Sequence, residues 1–351
     1  LQTPILLLGS LIILVLGFKE LGGWDEMMRV CGAVTVNDYG DTMTNLIRSN
    51  DDANFPWLGA LIGSAIIGFW YWCTDQFIVQ RVLSGKNEKE ARRGTIFGAY
   101  LKLLPVFLFL IPGMIAFALH QKYIGAGGEG FLPMLANGTA NADAAFPTLV
   151  AKLLPAGVKG LVVCGILAAL MSSLASLFNS SAMLFTIDFY KRFRPQTSEK
   201  KLVGIGQVAT VVIVILGILW IPIMRSVGDV LYTYLQDVQS VLAPGIAAAF
   251  LLGICWKRTS AQGGMWGLIA GMVIGLTRLG AKVYYSNAGE VADSTFKYLF
   301  YDMNWLFFCG WMFLFCIIVV IVVSLATEAP TAEKIQGLVF GTATKEQKAS
   351  T

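Results

Sequence analysis

The sequence predicts an all-α protein embedded in a membrane, and both its composition and its hydrophobic pattern lead to that prediction. Of the 351 residues, 56% are hydrophobic and only 14% are charged, whereas a soluble domain usually carries about 25% charged residues. The hydrophobic residues come in long runs, which is typical of membrane-spanning helices. The lipid bilayer is therefore an expected partner. A nucleic acid is not, because the basic residues lie in short clusters between the runs and form no extended basic face.

The hydrophobic runs predict eight transmembrane helices, and each complete one can cross the ~30 Å hydrocarbon core at about 1.5 Å per residue. The predicted spans are residues 4–18, 56–80, 94–120, 157–189, 202–224, 228–256, 261–280 and 303–326. The first is short and starts near Leu1, with no initiator methionine or charged flank before it. We therefore expect the sequence to be a piece of a longer protein.

Basic residues in the loops predict the orientation of the helices. Clusters follow the second, fourth and sixth spans: Arg81, Lys86, Lys89, Arg92, Arg93; Lys191, Arg192, Arg194, Lys200, Lys201; Lys257, Arg258. The positive-inside rule places these loops in the cytoplasm. We expect residues 1–326 to form a multi-pass core in the cell membrane, with residues 327–351 as a polar cytoplasmic tail or loop.

Glycine and proline positions predict two features of the helices. Gly263, Gly267, Gly271 and Gly275 recur every four residues in the seventh span, a stripe that lets another helix approach closely. The sixth span holds Gly228, Pro244 and Gly245 around a polar centre. Because proline removes a backbone donor, we expect this helix to be broken or strongly bent.

An aromatic cluster in the second span is the first candidate binding feature. Three adjacent aromatic residues, 70–72, are followed directly by Asp75 and Gln76. Aromatic faces can cover the apolar C–H faces of a sugar ring, and Tyr71 adds a hydroxyl. The alternative is an interfacial aromatic belt, which accounts less well for the polar residues that follow.

Two further spans carry polar side chains that could bind a sugar. Lys102 lies about two turns inside the third span. Its ammonium group could reach back to the membrane surface, or it could donate hydrogen bonds to sugar hydroxyls, and its position favours neither alternative. The sixth span holds Tyr232, Gln236, Asp237 and Gln239. An amide both donates and accepts, which suits a hydroxyl group.

A hydroxyl-rich face in the fourth span is the candidate cation site. Its members share one side of a helix: Ala169, Ser172, Ser173, Ser176, Asn179, Ser180. Hard cations take oxygen ligands. The alternative, packing by serines that bond back to their own helix, is slightly favoured when this face is taken alone.

An enzyme is a weak alternative for this sequence. His120 is the only histidine, and the six cysteines lack zinc-site spacing. Neither a nucleophile–base set nor a metal motif is visible, so we expect no catalysis and no cofactor besides a coupling ion.

Together, seven segments resemble the sodium/glucose cotransporters of the sodium:solute symporter family, over residues 1 to about 326. They are 70–76 (WYWCTDQ), 79–81 (VQR), 83–87 (LSGKN), 100–103 (YLKL), 168–173 (AALMSS), 178–180 (FNS) and 256–258 (WKR). The resemblance implies sodium-coupled symport of a glucose- or galactose-like sugar by alternating access. It also implies an inverted-repeat fold of five plus five helices with sites near the midplane. Here the first span would be the last helix of the first repeat, spans two to six the whole second repeat, and two further helices would follow.

The resemblance also assigns site residues by motif. The sodium ligands would be the Ala169 carbonyl and the Ser172 and Ser173 hydroxyls. The sugar and gate positions would be Lys102, Gln236, the aromatic gate Tyr71 with Trp72 beside it, and the outer lid Tyr232.

One departure from the family pattern keeps alternatives open. Gly68 stands where relatives place a polar side chain that contacts the sugar. The solute could therefore be another polyol such as myo-inositol. A sodium- or sugar-gated sensor without net transport also remains open.

Overall fold

The computed structural model describes residues 2–135, 138–227, 231–288 and 292–342, and the regular secondary structure of this part of the chain is helical. Its α-helices are α1 Gln2–Leu21, α2 Trp24–Gly32, α3 Trp57–Cys73, α4 Gln76–Leu83, α5 Glu88–Leu101, α6 Ile111–Gly125, α7 Ala145–Leu153, α8 Ala156–Met183, α9 Lys191–Phe193, α10 Glu199–Val227, α11 Leu231–Cys255, α12 Ala261–Asn287, α13 Thr295–Lys297, α14 Trp305–Ala326 and α15 Ala332–Ile335. Extended pairing in these residues is limited to two isolated bridges, Thr35 with Thr42 and Met134 with Ala140.

Within the described residues, seven helical spans are long and apolar enough to cross a membrane, and an eighth results when the bent pair α3–α4 counts as one. The prediction of an all-α multi-pass membrane protein is confirmed. Two spans contain π-helical segments: Val106–Leu110 continues into α6, and Leu184–Tyr190 continues from α8. A third π-helical segment, Tyr298–Asp302, precedes the span formed by α14. Residues 343–351 of the predicted tail lie outside the described part of the chain.

The chain divides into two compact units, and the first unit contains the residues up to Leu46 together with Gly94–Ile223. Its core is formed where α1 packs against α6, α7 and α8. Ile13, Ile115 and Leu149 are fully buried there. A side chain at Gly165 of α8 would collide with Ile5 of α1, at 2.9 Å from its Cγ2, so these two helices need glycine at their crossing.

The second unit contains Ile47–Arg93 and the residues from Met224 onward. Helices α11, α12, α14 and α3 pack together in it. All four glycines of the α12 stripe are buried. A Cβ at Gly271 would lie 2.9 Å from the Cα of Gly245 on α11, and one at Gly267 would overlap Val320 on α14. The predicted close packing of this helix is confirmed.

The predicted break at Pro244 is wrong. Helix α11 runs continuously from Leu231 to Cys255 through the proline. One missing backbone donor does not end it, because Ala243 and Ala247 are fully buried against Trp305 and Leu306 of α14. Gly245 serves the close approach to α12 instead. Gly228, the third residue of that prediction, lies outside the described part of the chain.

A break does occur in the second predicted span, where α3 and α4 meet at an angle of 50°. The carbonyl of Trp70 accepts hydrogen bonds from the amides of Thr74 and Asp75, at 3.0 and 3.2 Å. The Thr74 hydroxyl donates to the same oxygen at 2.8 Å. Asp75 then begins α4, because its carboxylate accepts from the amide of Phe77 at 3.1 Å. Asp75 therefore has a structural role as a helix cap.

A buried ion cluster joins α11 to α12 in the second unit. Arg278 is fully buried, and its guanidinium lies 3.4 Å from the Asp237 carboxylate. It also donates to the Met303 carbonyl at 2.8 Å and lies 4.1 Å from the centre of the Phe308 ring. Lys282 pairs with the other carboxylate oxygen of Asp237. One carboxylate therefore faces two cations.

The glycine stripe gives a direct stability prediction. A Cβ at Gly275 would lie 2.6 Å from the backbone oxygen of Val241, which cannot move without displacing α11. Gly275→Ala should therefore destabilise the folded protein by about 1–3 kcal/mol. Gly280→Ala in the same helix meets nothing within 4 Å and should be neutral or stabilising. Thermal unfolding in detergent measures both, and equal shifts would contradict the packing argument.

The ion cluster predicts an asymmetry between its members. Asp237→Asn leaves the buried Arg278 and the half-buried Lys282 without a counter-charge and should cost about 3–5 kcal/mol of stability. Lys282→Met leaves the Asp237–Arg278 pair balanced and should cost much less. The midpoints of thermal unfolding of the two purified variants test this order, which a larger loss in Lys282→Met would reverse.

Candidate functional site

The aromatic candidates lie on the last turn of α3, directly before its break. The ring of Tyr71 lies 5.3 Å from that of Trp72, nearly perpendicular at 89°, and 6.2 Å from that of Trp70. Trp70 packs against the buried cluster around Ile66 and Trp305. Tyr71 is half-buried, and Trp72 is 45% exposed. The structure thus brings Tyr71 and Trp72 together and leaves them partly accessible, while Trp70 belongs to the core.

The amide candidate and the lid candidate lie one turn apart on α11. Gln236 donates from Nε2 to the hydroxyl of Tyr232 at 3.0 Å. The Tyr232 ring lies 6.5 Å from that of Phe55. The amide oxygen of Gln236 makes no hydrogen bond within the described part of the chain and can accept one from a ligand. Its neighbour Asp237 is held by the ion cluster, which fixes this turn of α11.

The serine face of α8 separates into two kinds of hydroxyl. Ser176 donates to the Ser172 carbonyl at 3.1 Å, and Ser180 donates to the Ser176 carbonyl at 2.8 Å. The back-bonding alternative therefore holds for Ser176 and Ser180. The side chains of Ser172 and Ser173 are exposed and make no hydrogen bond to any residue that the structure describes.

Ala169, the third proposed sodium ligand, lies one turn before Ser173 in α8 and is half-buried. A site made of these residues would offer neutral oxygens to a hard cation. Histidine, cysteine and carboxylate side chains form no metal-type group of three in the described residues. His120 is buried, and its Nδ1 accepts from the Leu132 amide at 3.0 Å, so it supports a loop.

Lys102 lies where α5 ends, in a two-residue turn before the π-helical segment of the third span. Its amide is shared between the carbonyls of Gly98 and Ala99, at 3.1 and 3.2 Å. Its side chain is exposed. Lys102 and the serine pair belong to the first unit, whereas the aromatic and amide candidates belong to the second.

Sequence reasoning missed Arg278 and Lys282. A signal was present, because Arg278 stands inside the hydrophobic run 261–280 and Lys282 follows directly after it. An ionisable side chain at membrane depth is costly and needs a partner. The sequence groups Asp237 with the polar residues of the sixth span, but no local pattern connects it to α12.

The model of the sodium:solute symporter family matches residues 1–271. The chain is 35% identical to the sodium/myo-inositol cotransporter 2 of Homo sapiens over 97% of its length. It is 36% identical to the sodium/mannose cotransporter of Bos taurus over 97%, and 37% identical to the sodium/glucose cotransporter 1 of Ovis aries over 93%.

These alignments cover 52%, 59% and 52% of the human, bovine and ovine relatives. The chain thus spans between half and three fifths of their length. The match extends through α1 to α11 and includes every motif on which the resemblance was based. The chain belongs to the sodium:solute symporter family.

Proposed function

We propose that this chain is part of a sodium-coupled symporter that carries a small polyhydroxylated solute, of the glucose or galactose class, across the cell membrane by alternating access. The observation that carries the proposal is the pair of exposed hydroxyls on Ser172 and Ser173, which have no hydrogen-bond partner in the described structure. The printed names of the relatives, which are sodium cotransporters of glucose, mannose and myo-inositol, support it.

Sodium rather than a proton is the proposed coupling ion. The Ser172–Ser173 face of α8 carries no carboxylate until Asp188, near the end of the span. The two hydroxyls and the Ala169 carbonyl would together give a sodium ion three neutral oxygen ligands. One ion moving down a 100 mV potential supplies about 2.3 kcal/mol, which corresponds to roughly fiftyfold accumulation of a neutral solute.

The solute would be held by hydrogen bonds and by stacking. Gln236 offers a free amide oxygen on α11, and Lys102 offers an ammonium group in the third span. Tyr71 would stack against one side of the ring with Trp72 beside it, and Tyr232, bonded to Gln236, would act as the outer lid. Each residue thus contributes a contact suited to a polyol with apolar C–H faces.

A cyclic polyol such as myo-inositol is the second candidate solute. At Gly68, one turn before Tyr71, an added Cβ would meet nothing within 4 Å. The space left by this glycine favours a solute that needs more room, or other contacts, than the one bound by relatives with a polar side chain there.

Uptake of labelled glucose, galactose, mannose and myo-inositol by the full-length protein, with and without a sodium gradient, compares these solutes. Binding without accumulation would indicate a sensor instead.

The sodium site predicts a sharp difference between two serines of α8. Ser173→Ala removes a free hydroxyl and should abolish sodium-dependent uptake in the full-length protein while leaving expression intact. Ser176→Ala is the matched control, since that hydroxyl is already bonded to the Ser172 carbonyl, and it should keep most activity. Unchanged sodium dependence in Ser173→Ala would refute the assignment.

The solute site predicts a selective loss of affinity at Gln236. Gln236→Ala removes hydrogen bonds worth about 1–3 kcal/mol, so the KM for the solute should rise about tenfold or more. Gln239→Ala, in the next turn of α11, serves as the control, because the family motif assigns no solute contact to Gln239, and it should leave the KM near its original value. Concentration-dependent uptake at saturating sodium gives both constants. A Gln236→Ala protein with the original KM would remove this residue from the site.

A further inference from the structure

A cavity in the first unit lies between α8, its π-helical continuation Leu184–Tyr190, and α10. Its volume is about 360 Å³, within the range of about 300–1,000 Å³ that is usual for small-molecule sites. It begins at Asn179, about two turns beyond Ser172 on the same side of the helix. By the distribution of basic loops, this is the cytoplasmic half of the span.

Thr186 places a buried polar atom in the wall of the cavity. This residue is only 6% exposed, and its hydroxyl has no hydrogen-bond partner in the described structure. The hydroxyl faces α10, because a Cβ placed on Gly206 would lie 3.5 Å from the Thr186 Oγ1. Glycine at position 206 thus keeps the space in front of the hydroxyl open. A buried polar atom without a partner requires explanation, and a bound ligand supplies one.

The remaining polar lining identifies the chemical class of that ligand. Asn179 and Gln207 present exposed amides that make no hydrogen bond to described residues. The Thr210 hydroxyl is already bonded to the Gly206 carbonyl at 2.9 Å. None of the described residues that line the cavity is charged. Amides both donate and accept, which matches hydroxyl groups, whereas a cation would use only the acceptors.

We propose that this cavity is a second binding site for a neutral polyol, on the cytoplasmic side of the serine face. The inference rests on the proposed function, since it gives the site the same class of solute. It differs in location and residues, because Thr186, Asn179 and Gln207 bind here and Gln236 does not.

A cysteine reporter in the full-length protein tests the second site. Met183→Cys, which lines the cavity and is 47% exposed, is introduced into a background whose other accessible cysteines are replaced. Inside-out vesicles are treated with a thiol reagent, with and without glucose, mannose or myo-inositol. At about ten times its Kd, a solute in the cavity should slow the labelling about tenfold.

Three further variants distinguish binding in this cavity from binding at the proposed solute site around Gln236. In Gln236→Ala, the solute should still protect the cysteine from labelling. In Thr186→Val, which loses one hydrogen bond to the solute, the same protection should require about fivefold more solute or above. Thr210→Val is the matched control, because its hydroxyl is already bonded, and it should be protected as before. Loss of protection with Gln236→Ala, unchanged protection in Thr186→Val, or protection by sodium alone would each overturn the proposal.

Two measurements distinguish a failure of the second site from a failure of the proposed function or of folding. Sodium-driven uptake by the unmodified protein tests the proposed function, and it can succeed while the cavity shows no protection. If Met183→Cys fails to fold, binding of labelled myo-inositol or glucose to purified Gln236→Ala protein replaces the reporter. Saturable binding that Thr186→Val weakens and Thr210→Val does not supports the second site, and absence of binding overturns it.

Discussion

Close contact between helix backbones is the interaction on which the second unit depends. Lipid tails are as apolar as the side chains, so helices in a bilayer are held by van der Waals packing and hydrogen bonds rather than by escape from water. The α12 glycines bring that helix against α11 and α14. The same closeness lets Arg278 reach both Asp237 and the Met303 carbonyl. Since Gln236 adjoins Asp237, the position of a proposed solute contact follows from glycine packing on another helix.

Patterns that depend on local sequence were predicted correctly. The eight spans and the glycine stripe each follow from the spacing of residue types along one helix. Pro244 was misjudged because the expected break considered only the lost hydrogen bond. Tertiary packing of the buried alanines around it keeps α11 intact. The break at Thr74–Asp75 has no proline or glycine to mark it, because it results from side chains competing for backbone groups.

The candidate site was predictable only in part, because contacts between distant parts of the chain decide which side chains are available. Composition identified a hydroxyl face on α8, but only the structure distinguishes Ser176 and Ser180, which bond to their own helix, from Ser172 and Ser173, which do not. The pairing of Gln236 with Tyr232 follows helical spacing and could have been read from the sequence. The two partners of Asp237 are 41 and 45 residues away, and no local rule connects residues at that distance.

The bend between α3 and α4 has a consequence for the thickness of bilayer that this protein can occupy. The 17 residues of α3 extend about 25 Å at 1.5 Å per residue, several ångströms short of an average hydrocarbon core. The eight residues of α4, inclined at 50°, add roughly 8 Å along the direction of α3. A small change of that one angle lengthens or shortens the whole span. The reach of the second span across the bilayer therefore depends on the hydrogen bonds of Thr74 and Asp75 that hold this angle.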